Sequence, residues 1–319
     1  MDVIDPDDVR QAAQRISLHV LRTPCVPSEV LSRQLGCQVH FKAESLQYGG
    51  AFKARGATNA VFALNEDQAA RGVVTHSSGN HAAALARAAS LRGVPAHVVM
   101  PENSTPSKIR AVQSYGVEPI FCDPTTEARA EAAESLRQST GGILVHPYDT
   151  PTVMAGQGTV GLEITEQMPD LDTIFVPVGG GGLLSGVLTI VKATDKRIQV
   201  IAVEPEWADD TARSLATGVR QVPHRYDSVA DGLRTAVGEN TFPIIRALVD
   251  DLILVSERQI LTAMRTIAES AKLVAEPSGA VAFAGLCDRV NDFQGKSVAV
   301  IISGGNLNFG RCQLGTAGT

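Results

Sequence analysis

Short apolar runs and longer helical patterns alternate along most of this chain. The stretch "QVHFKAE" (38–44) alternates apolar and polar positions with a period of two and predicts a strand. From Lys53 the spacing in "KARGATNAVFAL" is helical. Next, "GVVTH", "AHVVMP", "EPIFC" and "ILVHP" predict strands, separated by the helical patterns "HAAALARAASLRG", "PSKIRAVQSYG" and "TEARAEAAESLRQS". A second series follows with "TIFVPV", "LLSGVLTIVKAT", "IQVIAVEP", "LILVS", two further helices and "SVAVIISGG". Strands separated by helix-length segments imply βαβ units, right-handed crossovers and parallel sheets covered on both faces. The N-terminal "DPDDVRQAAQRI" opens a helix: Asp5 caps it, Pro6 suits the first turn, and Asp7 and Asp8 suit the positive end of the dipole. Two series predict two α/β domains, each an open, mostly parallel sheet flanked by helices. The small one spans 71–145 and the large one combines 1–62 with 150–319, with the active site in the cleft between them. In such sheets ligands bind beyond the carboxyl ends of strands.

Composition adds exclusions. The chain has 319 residues, 44% hydrophobic and 19% charged, as in an ordinary globular protein. A formal charge of -6 carries no electrostatic footprint for nucleic acid. The longest apolar runs are too short to span a bilayer, and the acidic N-terminus lacks a secretory apolar region. Five cysteines (Cys25, Cys37, Cys122, Cys287, Cys312) are scattered without a C-x-x-C. That pattern fits reduced thiols and a cytoplasmic location.

Five stretches carry candidate chemistry. In "GGAFKARGA" (49–57) a single lysine, Lys53, sits among small and apolar residues. It is either a helix-start lysine snorkelling to water or a desolvated nucleophile. Ser77, Ser78, Gly79 and Asn80 lead from a strand into an alanine-rich helix, which suits a carboxylate or simply caps the helix. Gly179–Gly182 join a strand to a helix, where backbone amides can approach a phosphate with no side chain in the way. The stretch is neither a P-loop nor G-x-G-x-x-G, although Glu204 at the end of "IQVIAVEP" keeps a nicotinamide enzyme open as a rival. Glu204, Asp209 and Asp210 either hold a hard cation or form a solvated acidic turn. The last strand ends in Ser303, Gly304, Gly305 and Asn306. The seven histidines form no metal-binding spacing, and no G-x-S-x-G elbow occurs.

The ordered set "AFKARGA", "SSGNHA", "GGGGLLSG" and "SGGN" resembles the fold-type II pyridoxal-phosphate enzymes, the tryptophan synthase β-like group. Within that group it is similar to the serine/threonine dehydratase and serine racemase family, and the likeness extends through "HPYDTPTVMAGQGT", "ADGLRT", "GENTFPIIRALVDD" and "AEPSGA". The resemblance implies that Lys53, beside Phe52, forms the internal Schiff base, its small neighbours leaving room for a flat ring. It implies that Asn80 meets the ring hydroxyl, that Gly179, Gly180, Gly181, Gly182 and Leu183 cup the phosphate, and that Ser303 faces the ring nitrogen. Ser77, Ser78, Asn80 and His81 would take the substrate carboxylate, with Ser78 as the second proton carrier of a racemase and Arg129 a further substrate contact. Glu204, the Ala208 carbonyl and Asp210 match the family's site for Mg2+ or Ca2+. The chain departs from relatives at Gly49, Gly50 and Ala51 before the lysine segment, at Tyr148 where some racemases carry asparagine, and at Ala83 where animal racemases carry an ATP-binding glutamine. The expected activity is that of a homodimeric ammonia-lyase for L-threonine or L-serine. Serine racemase, 3-hydroxyaspartate ammonia-lyase and a nucleotide-binding module without chemistry are the alternatives.

Overall fold

A computed structural model describes residues 3–77 and 79–307, with the backbone alone at Thr126. Among the described residues ten strands form two sheets. They are β1 (Cys25–Pro27), β2 (Gln38–Ala43), β3 (Val73–His76), β4 (Ala96–Pro101), β5 (Ile120–Cys122), β6 (Ile143–Leu144), β7 (Thr173–Pro177), β8 (Gln199–Pro205), β9 (Asp251–Val255) and β10 (Ser297–Ile302). The larger sheet has the order β1-β2-β10-β7-β8-β9, and the smaller β5-β4-β3-β6. Every pairing is parallel except the edge pair β1–β2. The α/β class with helix-covered, mostly parallel sheets is therefore as expected.

β7 is buried at every position and β10 at all but its first, because helices cover both faces of the sheet. On one face Phe41, Phe175, Val203 and Ile302 pack with Phe283 and Ile260; on the other Ile174, Val176 and Ile301 pack with Leu184, Val187 and Met154. The N-terminal helix Pro6–Ile16 opens on a capping box between Asp5 and Asp8, with Pro6 in its first turn.

The helix Lys53–Phe62 is shared between the two halves. Its Ala57, Ala60 and Val61 join Val73, Ala84, Leu85 and Ala88 around the smaller sheet. Elsewhere on its surface, Gly56 lies against the helix Pro151–Gln167, where a Cβ on Gly156 would come within 2.6 Å of the Gly56 Cα. Part of the small-residue character after Lys53 therefore serves close helix packing.

Candidate active site

The lysine is placed by pairing between two distant segments. Ala51 bridges Gly304, Phe52 N donates to Ser303 O at 3.0 Å, and Gly305 N donates to Gly50 O at 2.9 Å. The start of the lysine helix is thus held beside the carboxyl end of β10. Lys53 Nζ donates to Pro147 O at 2.8 Å and lies 5.0 Å from the centroid of the Phe52 ring. Burial pushes its pKa down to about 8, and among the described residues no carboxylate pairs with it. The snorkelling alternative does not survive this geometry, since the amine turns inward to a carbonyl.

The neighbouring imidazoles are uncharged at neutral pH. His81 Nε2 meets Val145 O at 3.3 Å, which puts the proton on Nε2 and leaves Nδ1 buried without a partner. Burial, then the Lys53 charge, holds its pKa well below the usual value. His146 Nδ1 accepts from Asp149 N at 3.0 Å, and burial, then His76 and Lys53, lowers its pKa to about 4. Its ring stands edge-on to His76 and Tyr148.

β7 runs into the glycine loop, and Gly181 (φ +86°) caps the helix Gly182–Thr194 in a left-handed conformation that favours glycine. Amides at the start of a helix have no carbonyl one turn back. Among the described residues the N–H groups of Gly179, Gly180 and Gly181 also meet no acceptor. Such an array suits a phosphate. The loop also needs glycine for packing. A Cβ on Gly180 would fall 2.4 Å from the Tyr148 ring, and one on Gly181 would strike Ile245 and Thr241. Side chains at these positions would collide with the protein behind the loop. Leu183 points its side chain into the core, so its contribution to a cup is its amide.

Asn80 is fixed from two sides. Its Nδ2 donates to Glu276 Oε1 at 2.7 Å, and its Oδ1 accepts from Asn306 Nδ2 at 2.9 Å. Ser303, 4% exposed, donates through Oγ to Ser278 O at 3.3 Å. Ser77 follows β3 directly, and its Oγ accepts from Gly79 N at 3.3 Å. Ser78 lies outside the described residues. Arg129 sits on the helix Thr126–Thr140, bonds through Nε to Thr125 O at 3.1 Å, and its charge reaches His76 at the end of β3.

Glu204, Ala208 and Asp210 converge at the end of β8, each with no exposed surface, so the acidic turn is not solvated there. Glu204 accepts from Thr211 N at 3.0 Å and Ala212 N at 2.9 Å, while Asp210 Oδ2 accepts from Val237 N at 2.7 Å. Asp210 Oδ1 is buried without a partner. Burial, then the Asp210 charge, raises Glu204 to about 8, and burial raises Asp210 to about 7. Two buried carboxylates with an orphaned oxygen fit a hard cation. Asp209 instead pairs with Arg213 at 2.9 Å.

Sequence reasoning gave no role to Glu276, Pro147 or Asp149. Glu276 is buried beside Asn80, and burial, then the Asp231 charge, raises it to about 7. Their signal was present in "AEPSGA" and "HPYD", but a short polar turn shows no period, and nothing local says which loop it will meet.

Free amides in the glycine loop, a lysine whose pKa falls to about 8 and a buried serine hydroxyl within one loop cluster fit pyridoxal phosphate. Residues 16–304 match the family model described as "Pyridoxal-phosphate dependent enzyme". The chain is similar to serine racemase of Oryza sativa subsp. indica, with 44% identity covering 96% of this chain and 92% of that one. It is also similar to β-hydroxyaspartate dehydratase of Paracoccus denitrificans, with 42% identity covering 95% and 96%. The solved structure of the T.th. threonine deaminase superposes with a TM-score of 0.90 at 41% identity, covering 96% of this chain and 99% of the other. With the cup, the lysine and near full-length likeness in agreement, this chain belongs to the pyridoxal-phosphate-dependent enzymes.

Proposed function

We propose that the enzyme is an ammonia-lyase for a small β-hydroxy amino acid, L-threonine or L-serine, working in the space between Lys53, the glycine loop and the loops after β3 and β10. The observation that carries this reading is the Lys53 amine: desolvated, free of any paired carboxylate, and lowered to about 8. Such an amine is a competent base near neutral pH. Gly179–Leu183 would hold the phosphate of the cofactor through backbone amides, with Ser303 as the partner of the ring nitrogen and Asn80 as that of the ring hydroxyl. Bound there, pyridoxal phosphate supplies the electron sink that makes the α-proton acidic. Lys53 takes that proton. The β-hydroxyl departs with a proton as water, and the enamine released hydrolyses to a 2-oxo acid and ammonia. A serine at 303 is a neutral partner and does not hold a positive charge on the ring nitrogen, which favours elimination over transamination. Ser77, His81 and Arg129 complete the substrate contacts in this proposal, and Glu204, the Ala208 carbonyl and Asp210 hold Mg2+ or Ca2+.

Racemisation is the second reading, because the sequence carries Ser78, which the resemblance implies as a second proton carrier, and the chain is similar to a serine racemase. One assay separates the readings: purified holoenzyme is offered L-serine, L-threonine and threo-3-hydroxyaspartate, scoring 2-oxo acid, ammonia and D-isomer. Keto acid from serine or threonine faster than D-isomer is expected. D-serine as the main product, or turnover of hydroxyaspartate alone, overturns the proposal. The free thiols at Cys25, Cys37, Cys122 and Cys287 support a cytoplasmic setting, and the family resemblance supports a homodimer. No helix among the described residues is long and apolar enough to cross a membrane.

A further inference from the structure

The turn His146–Asp149 lies between the lysine and the glycine loop and touches both. His146 Nδ1 closes it by accepting the Asp149 N–H. Pro147 supplies the carbonyl for Lys53, and the Tyr148 ring backs Gly180. Asp149 reaches further. Its Oδ2 accepts from Glu239 N at 3.0 Å, its Oδ1 from Asn240 N at 2.9 Å and Thr241 N at 3.2 Å, and its own carbonyl accepts from Asn240 Nδ2 at 3.0 Å. The carboxylate sits so close that a Cβ on Gly238 would lie 2.1 Å from Oδ1. The segment 238–241 is therefore pinned at the start of the helix Thr241–Leu248.

That pinned segment grips the glycine loop at one atom. Thr241 Oγ1 donates to Gly180 O at 2.8 Å and Gly238 N donates to the same oxygen at 3.2 Å. In a planar trans peptide the carbonyl and the next N–H point in opposite directions. Drawing the Gly180 carbonyl toward 238–241 turns the Gly181 N–H the other way, and that amide has no acceptor among the described residues. We propose that Asp149 is a positioning residue for the cofactor phosphate: by ordering 238–241 it fixes the Gly180–Gly181 peptide with its N–H presented to the anion. The inference concerns the cofactor, which the family establishes, and stands whichever amino acid is the substrate.

The test compares holoenzymes carrying Asp149→Ala, Asp149→Asn and Thr241→Val, measuring the dissociation constant for pyridoxal phosphate, the KM for the amino acid at saturating cofactor, and Tm. Thr241→Val keeps the side-chain shape and removes only the hydroxyl, so cofactor affinity should fall about tenfold with KM unchanged, the scale of one lost buried hydrogen bond. Asp149→Ala should weaken cofactor binding more than Asp149→Asn, which retains one acceptor oxygen. Adding Thr241→Val to Asp149→Ala should cost little more, because the hydroxyl acts only through the ordered segment. Unchanged cofactor affinity in Thr241→Val overturns the proposal, and that variant decides the matter if Asp149→Ala does not fold. Fully additive losses in the double variant, or a fall in Tm with no loss of cofactor affinity, overturn it equally.

Discussion

Two cations two residues apart on one helix meet opposite fates. Arg55 is wholly buried and saturated: Nε and Nη2 donate to Glu44 at 2.8 Å each, and Nη1 and Nη2 donate to Glu163 at 2.7 and 2.8 Å. Lys42, equally buried, adds a bond to Glu163 at 2.6 Å. Burial opposes each of these charges; for Arg55 and Glu44 the ion pairs outweigh it, raising the pKa of Arg55 and lowering that of Glu44, whereas for Lys42 burial still prevails and its pKa falls. Lys53 meets one carbonyl and no counter-charge, so burial acts alone and its pKa falls. The acids mirror this. Glu44 faces Arg55, whereas Glu276 at the cleft, bonded to the Asn80 amide and with Lys108 acting on it from further away, rises to about 7. Burial by itself does not make a group reactive. Burial without a partner of opposite charge does, and two residues of one helix separate the two conditions.

The contrast is broken most completely at the lysine. Lys53→Ala should leave a folded protein with no measurable turnover. Lys53→Arg should be equally inactive, although it keeps the charge, because guanidinium does not give up its proton near neutral pH. Circular dichroism and the keto-acid assay together check this, and wild-type turnover in either variant would remove the base from the mechanism.

The structural cation should instead show itself in stability. Arg55→Met strands Glu44 in the interior and leaves Glu163 with Lys42 alone, and breaking a buried pair in this way typically costs about 3–5 kcal/mol. Urea unfolding measures the loss, and a variant as stable as the parent would show that the cluster contributes nothing net. Lys53 should still bind the cofactor in whatever fraction remains folded.

A smaller effect sharpens the acid half of the comparison. The folded pKa of Glu276 is raised to about 7, above an unfolded value of roughly 4.3. Between these values the native state binds the extra proton, so this contribution to stability is fully present at low pH and is lost as pH rises through about 7. Glu276→Gln, a neutral isostere, should lack that part of the decline in Tm between pH 5 and 8. Parallel Tm curves for the two proteins would place the Glu276 carboxyl among ordinary paired acids.

The sequence by itself determined the alternation of strand and helix, the capped first helix and the order of the chemical motifs. Each rests on local physics: a period of two or 3.6, an aspartate before a proline, glycines between a strand and a helix. It also singled out Lys53 through its apolar neighbours and, through resemblance, the cofactor. Only the tertiary structure decided which partners those residues keep. Nothing near Lys53 in the chain shows that its amine meets Pro147, or that Arg55 two residues on finds Glu163, because these contacts join segments 94 and 108 positions apart. The same holds for Asp149, which meets 239–241 across 90 to 92 positions. Charge pairing and desolvation depend on distance in space, and sequence patterns report it only within a turn or a pleat.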